Sequence, residues 1–177
     1  NNKIYYQVAD EGLYVIENGQ DHVYISNAEL NNQIAVGFFE YKNTRYLITR
    51  TNQIYRIEGE KLKEYHFENL DLASDESIFV AELTTNSTLA LGTIGNGLKL
   101  YDLDDKTLTH FRQPSILNNT VLSLFTDSHG NLWSGLDNGI SLVNLNSSVK
   151  IFSDTFGEIG TVYCSIRNND ILYLGTN

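Results

Sequence analysis

Between Thr120 and Asn144 the chain reads TVLSLFTDSHGNLWSGLDNGISLVN, three short apolar-rich runs separated by two clusters of turn residues. Val, Ile, Leu, Phe and Thr fill the runs, and Asp, Asn, Ser and Gly fill the breaks. This is strand-and-turn patterning, and no long stretch carries the 3.6-residue period of an amphipathic helix. The pattern predicts strands over 121–126, 132–136 and 140–145, with a short fourth near 149–152. Asp127-Ser128-His129-Gly130 and Asp137-Asn138-Gly139 supply the turns, because Asx side chains bond nearby backbone amides and Gly accepts positive φ without steric cost.

The pattern recurs. SIFVAELTTNSTLALGTIGNGLKLYD (77–102) and QIAVGFFEYKNTRYLITRTNQIYRI (33–57) are further copies. The C-terminal GTVYCSIRNNDILYLGTN repeats the opening half, and the N-terminal NNKIYYQVADEGLYVIENG repeats the later half. Anchored on the turn before the third strand, Gly12, Gln53, Gly97 and Gly139 stand 41, 44 and 42 residues apart. That period and four short antiparallel strands per repeat are the signature of propeller blades, which stack radially to bury their faces.

The expected fold is therefore all-β: a single β-propeller segment of about four blades. Its parts are a partial blade over 1–27, blades at about 33–67, 77–111 and 120–153, and a partial blade over 160–177. Residues 168–177 align with 1–10, so the same second strand occurs at both ends. The first blade then lacks its first strand, and the last lacks its third and fourth. Uncovered blade faces and unpaired strand edges predict self-association.

Composition narrows the function classes. Apolar residues make up 41% of the chain, too many for disorder. The net charge is −10 and the 12 Lys and Arg are scattered, which argues against nucleic acid and against an anionic membrane surface. The longest apolar run, 34–39, suits a strand and is far too short to span a bilayer. With no Met and no opening signal peptide, the chain reads as an internal piece of a larger protein.

Candidate chemistry is sparse. His22, His66, His110 and His129 fall at scattered repeat positions without metal-ligand spacing, and read as surface residues. Asp102-Leu103-Asp104-Asp105 lacks the Gly and terminal Glu of a calcium loop and reads as a solvated turn. The 127–131 segment is explained as a β-turn. No G-x-S-x-G elbow is present, and no motif marks paired carboxylates for glycoside cleavage. The expectation is no catalytic residue, no metal and no cofactor, with the ligand-binding residues unassigned. Asn86, Asn118 and Asn146 begin N-x-[ST] triplets, a pattern that arises readily in an Asn-rich chain. Cys164, the only cysteine, reads as a buried small hydrophobe, and Trp133 as a largely buried core residue beside the Asp127 hairpin. Some of the 11 Tyr could stack on sugar rings, although packing between blades explains any one of them.

The segment from Thr120 to Leu142 resembles the two-component regulator propeller repeat. The match rests on Asn119, Val121, Leu124, Asp127, Gly130, Asn131, Leu132, Trp133, Gly135, Gly139 and Ile140. Leu89 to Thr93 and Leu172 to Thr176 keep the second half; Arg45 to Ile54 loses the glycines, and Ser134 and Gln7 stand where the family has Ile. The resemblance implies a periplasmic sensor region of a hybrid two-component receptor, ahead of a membrane helix and cytoplasmic signalling domains that include a histidine kinase. Its partners would be the receptor's remaining blades, and its ligand class oligosaccharides. Beside this non-catalytic sensor stand two alternatives, a protein-interaction scaffold and a propeller lyase or glycosidase; fold alone does not choose among them.

Overall fold

The computed structural model describes residues 3–147, 160–169 and 171–176. Strand follows strand along the chain. The first sheet holds β1 (Ile4–Val8), β2 (Gly12–Glu17) and β3 (Gln20–Ser26). A one-turn helix, α1 (Asn27–Leu30), leads to the second, of β4 (Ala35–Tyr41), β5 (Thr44–Thr49), β6 (Ile54–Glu58) and β7 (Lys61–Glu64). The third holds β8 (Ile78–Leu83), β9 (Thr88–Thr93), β10 (Leu98–Asp102) and β11 (Leu108–Phe111). The fourth holds β12 (Val121–Thr126), β13 (Asn131–Leu136) and β14 (Gly139–Asn144). These four sheets form one unit, which ends at Asn146. A second unit carries the hairpin β15 (Val162–Asn168) and β16 (Ile171–Thr176). Among the described residues all strand pairings are antiparallel and join consecutive strands, an all-β meander within each sheet. The expected strand near 149–152 lies outside the described residues.

One irregularity repeats. The register slips between Ala35 and Gly37, Ile78 and Val80, Val121 and Ser123, and Val162 and Cys164. Each slip is a bulge in the opening strand of its hairpin, opposite the end of the next strand, and such a bulge bends the strand and increases its twist.

The core lies between successive sheets. Leu13, Ile25, Leu30 and Leu47 join the first sheet to the second. Phe39, Tyr46, Ile48 and Ile54 of the second meet Ile78, Leu89, Leu91 and Tyr101 of the third. Ala90, Leu98 and Leu100 of the third meet Val121, Leu132 and Leu136 of the fourth. Each fully buried Leu or Ile contributes about 1.5–3 kcal/mol. Strands of successive sheets come close: a Cβ on Gly37 of β4 would lie 2.6 Å from Cβ of Ala81 on β8, and one on Gly92 of β9 2.7 Å from a methyl of Val121 on β12.

Two expectations of burial are corrected. Trp133 is 41% exposed. Register places Phe125, Trp133, Ile140 and Leu142 at the positions held in the second sheet by Phe39, Tyr46, Ile54 and Arg56. In the third sheet Ala90 and Leu98 hold the places of Trp133 and Ile140, and both are fully buried. Burial at these positions is supplied by the following sheet, and in its unit the fourth sheet is the last. Cys164 is also exposed, as is every residue of β15, because a two-stranded hairpin has no second layer of its own.

Candidate functional site

The sheets share an end that holds the β1–β2, β5–β6, β9–β10 and β13–β14 turns and where the connections between sheets arrive. Backbone bonds stitch turn to connection: Asn27 N–H to Glu11 O (3.0 Å), Arg50 N–H to Ile34 O (2.9 Å), Ile94 N–H to Ser77 O (3.0 Å) and Asp137 N–H to Thr120 O (3.1 Å). Gln53 holds the turn position of Gly97, since Thr49 N–H donates to Gln53 O as Thr93 N–H donates to Gly97 O. The left-handed residue that Gly provides elsewhere is here Asn52, at φ 66°. The lost glycine is thus replaced by the residue type that best tolerates that conformation.

Polar side chains run along this end from sheet to sheet. Gln7 donates from Nε2 to Gln33 O (2.7 Å) and accepts at Oε1 from Ala35 N–H (2.9 Å). The Gln33 amide bonds the side chains of Gln53 and Thr51, and Tyr55 OH donates to Gln53 Oε1 (2.9 Å). Asn52 Nδ2 donates to Ala73 O (2.8 Å) and to Glu76 O. At the centre is a buried ion pair, Lys99 Nζ to Glu76 Oε2 at 2.5 Å, with side chains 7% and 1% exposed. Asn96 Nδ2 donates to Glu76 Oε1 (2.6 Å), Ala73 N–H to Oε2 (3.3 Å), and Lys99 Nζ also to Asp71 O (3.0 Å). His110 Nε2 lies 2.5 Å from Asn96 O.

This arrangement clamps the connection of residues 65–77 onto the turn of the third sheet. The buried carboxylate and ammonium are turned on each other and on backbone groups. Sequence reasoning missed the pair because its members lie 23 residues apart. The one available signal was a Lys among apolar neighbours in LKLY.

The residues singled out by sequence are dispersed. His22 lies on β3, His66 beyond β7, His110 on β11 and His129 in the β12–β13 turn. Asp102 Oδ1 accepts from the amides of Asp104 and Asp105, both at 2.8 Å, and Asp104 receives Tyr41 OH (2.7 Å) and Lys42 Nζ (2.8 Å). Lys42 holds the Asp104 carboxyl below the usual carboxylate range. This acidic turn therefore ties the third sheet to the second. Asp127 accepts from Trp133 Nε1 (3.0 Å), Asn131 Nδ2 (3.0 Å) and the amides of His129 and Asn131 (2.9 Å each). Those donors, the indole first, hold its carboxyl well below the ordinary range. Asn86 Nδ2 donates to Asn146 Oδ1 (2.6 Å), Asn146 Nδ2 to His129 O (3.1 Å), and Asn118 Oδ1 accepts from Thr120 N–H (2.8 Å). Asn118 thus serves a local turn, while Asn86 and Asn146 tie the β8–β9 turn to the end of β14 and to the β12–β13 turn.

No protein-family model matches the chain. No curated relative matches it either. Solved structures do. The chain is similar to the extracellular domain of the putative one component system BT4673 from B. thetaiotaomicron, at 25% identity and a TM-score of 0.56 over 80% of this chain and 20% of that one. A second structure of BT4673, described as a putative hybrid two component system, matches over 98% of this chain and 25% of that one, at 23% identity and a TM-score of 0.59. The extracellular domain of the putative hybrid two component system BT3049, from the same organism, matches over 98% of this chain and 24% of its own at 21% identity, also with a TM-score of 0.59. The chain spans a fifth to a quarter of the length of these structures. The neighbours are extracytoplasmic domains, in keeping with the location that the repeat resemblance implied.

Proposed function

We propose that the chain is a β-propeller segment in the periplasmic sensor region of a two-component receptor, that it acts without catalysis, and that oligosaccharides are the ligand class to which the receptor responds. The observation that carries this reading is the repeated bulged antiparallel sheet, together with the similarity of the chain to extracellular domains of hybrid two-component systems. Sheets packed face to face through apolar side chains are the construction of propeller blades. The polar side chains at the connecting end are engaged in clamps, which suits a rigid module that relays an arrangement to its neighbours.

Two measurements test this. Purified protein incubated with glycan mixtures is expected to release no new products on chromatography; saturable cleavage abolished by one carboxylate substitution overturns the non-catalytic reading. A reporter driven by the parent receptor is expected to respond to added oligosaccharides and to lose that response when residues 33–111 are replaced by the matching segment of a receptor of different specificity. An unchanged response removes this segment from sensing.

A further inference from the structure

At the end of the second sheet opposite the polar clamps, the turns at 42–43 and 59–60 face the edge strand β3. A cleft of about 400 Å³ opens there, lined by Tyr24, Glu40, Asn43, Arg45, Arg56 and Glu58 among others. It adjoins a second of about 260 Å³, which shares Tyr24 and continues past Glu29, Glu60 and Lys61. The first lies within the range of small-molecule sites, roughly 300–1,000 Å³.

The polar groups are fixed in place. Arg45 Nη1 donates to Tyr24 OH (3.0 Å) and Nε to Glu40 Oε2 (3.2 Å), while Arg56 pairs with Glu58. The Tyr24 ring packs edge-on against the stacked pair of Tyr5 (5.3 Å) and Phe38 (6.0 Å). Glu29 Oε2 accepts from Leu62 N–H (3.2 Å), which anchors the far side. Arg56 Nε is buried and has no hydrogen-bond partner. A site held in its binding geometry loses little entropy when occupied.

The charge pattern selects the ligand class. Two guanidiniums and two carboxylates line the first cleft, so its formal charge is zero. Each guanidinium already carries a carboxylate, and the chain's net charge of −10 repels anions. Alternating donors and acceptors with a fixed tyrosine suit a group that donates and accepts from one atom, which is a hydroxyl.

We infer that this groove binds a neutral polyhydroxylated chain, a short run of uncharged pyranose units laid across Tyr24 along the β3 edge. The inference goes beyond the proposed function by placing a site; only the glycan class is shared with that reading.

The test is an NMR titration of ¹⁵N-labelled protein with maltohexaose, xylohexaose and cellohexaose, with oligogalacturonate as the charged control. At least one neutral hexasaccharide is expected to shift the amides of Tyr24, Thr44, Arg45, Gly59 and Lys61 saturably, and oligogalacturonate to leave them unmoved. Arg45→Met is expected to weaken binding about tenfold, the loss of one charged hydrogen-bonding group. Should that variant lose its folded spectrum, Asn43→Gly, in an exposed turn whose left-handed φ glycine accepts, reads the same site. Three results overturn the inference: no groove shift with any neutral hexasaccharide, shifts with oligogalacturonate alone, or undiminished affinity in the variants. Shifts at Gln53 and Asn96 instead would overturn the groove and leave glycan sensing standing. Groove binding by a chain whose replacement leaves the reporter response unchanged would do the reverse.

Discussion

At the scale of single residues, Asp127 ties the best-preserved hairpin together. Its carboxylate accepts four hydrogen bonds, the Trp133 indole among them, and these lower its pKa below the ordinary 3.8. A depressed folded pKa gives stability that is fully present above the unfolded value and is lost as pH falls through the folded one. The gap in urea midpoint between wild type and Asp127→Asn is therefore expected to be constant from about pH 5 to 8 and to shrink steadily below 3.8. A gap that widens in acid would contradict this.

Ser134 shows a departure from the repeat with a physical consequence. It is fully buried and its Oγ has no hydrogen-bond partner. An unsatisfied buried hydroxyl costs about 1–3 kcal/mol, so Ser134→Ala is expected to raise stability by about 1 kcal/mol in urea denaturation. Lys99 presents the opposite case, a buried charge with its partners in place. Lys99→Met leaves Glu76 buried without its cation and is expected to cost about 3–5 kcal/mol. The double variant with Glu76→Leu should cost less than the sum of the two single changes, read as a coupling energy from the double-mutant cycle.

At the scale of elements, glycine marks where neighbouring sheets nearly touch. Gly37 faces Ala81 across the gap between β4 and β8, and Gly92 of β9 faces Val121 of β12. Added methyls there must push whole strands apart, so Gly37→Ala and Gly92→Ala are each expected to cost about 1–3 kcal/mol. Gly175 occupies the corresponding place in β16, opposite Cys164, as Gly92 stands opposite Val80. A methyl at Gly175 would meet the Cys164 sulfur at 2.5 Å, the end of a side chain that can rotate away. Gly175→Ala should cost less than either of the others, and thermal melts of the three variants would rank them.

At the scale of the whole molecule, Phe125, Trp133, Ile140 and Leu142 line one exposed apolar face of the fourth sheet. The corresponding faces of the second and third sheets are covered by the next sheet. The isolated chain is accordingly expected to self-associate and to bury at least about 1,000 Å² in doing so. Light scattering coupled to size exclusion should show a dimer or larger species at high concentration, dispersed by Phe125→Glu with Ile140→Glu. A monomer mass that persists at every concentration would rule the association out.

The sequence by itself determined the strands, their order and their turns. Alternation and Asx–Gly breaks are local properties, and the local run Asp127 to Trp133 placed its hairpin to within a residue. The repeat resemblance also pointed to the sensor region of hybrid two-component receptors, whose solved extracellular domains share this fold. What only the tertiary structure decided is which partner each face and each polar group has. Trp133 reads as core in any sequence because indole is apolar, yet its burial depends on a following sheet rather than on its own hairpin. The burial of Glu76 and Lys99 is tolerable only because a connection and a strand 23 residues apart bring carboxylate, ammonium and loop carbonyl together. The groove beside Tyr24 likewise joins residues of the first and second sheets that no local pattern connects. Strand patterning is written in neighbours along the chain; burial and sites are written in neighbours across space.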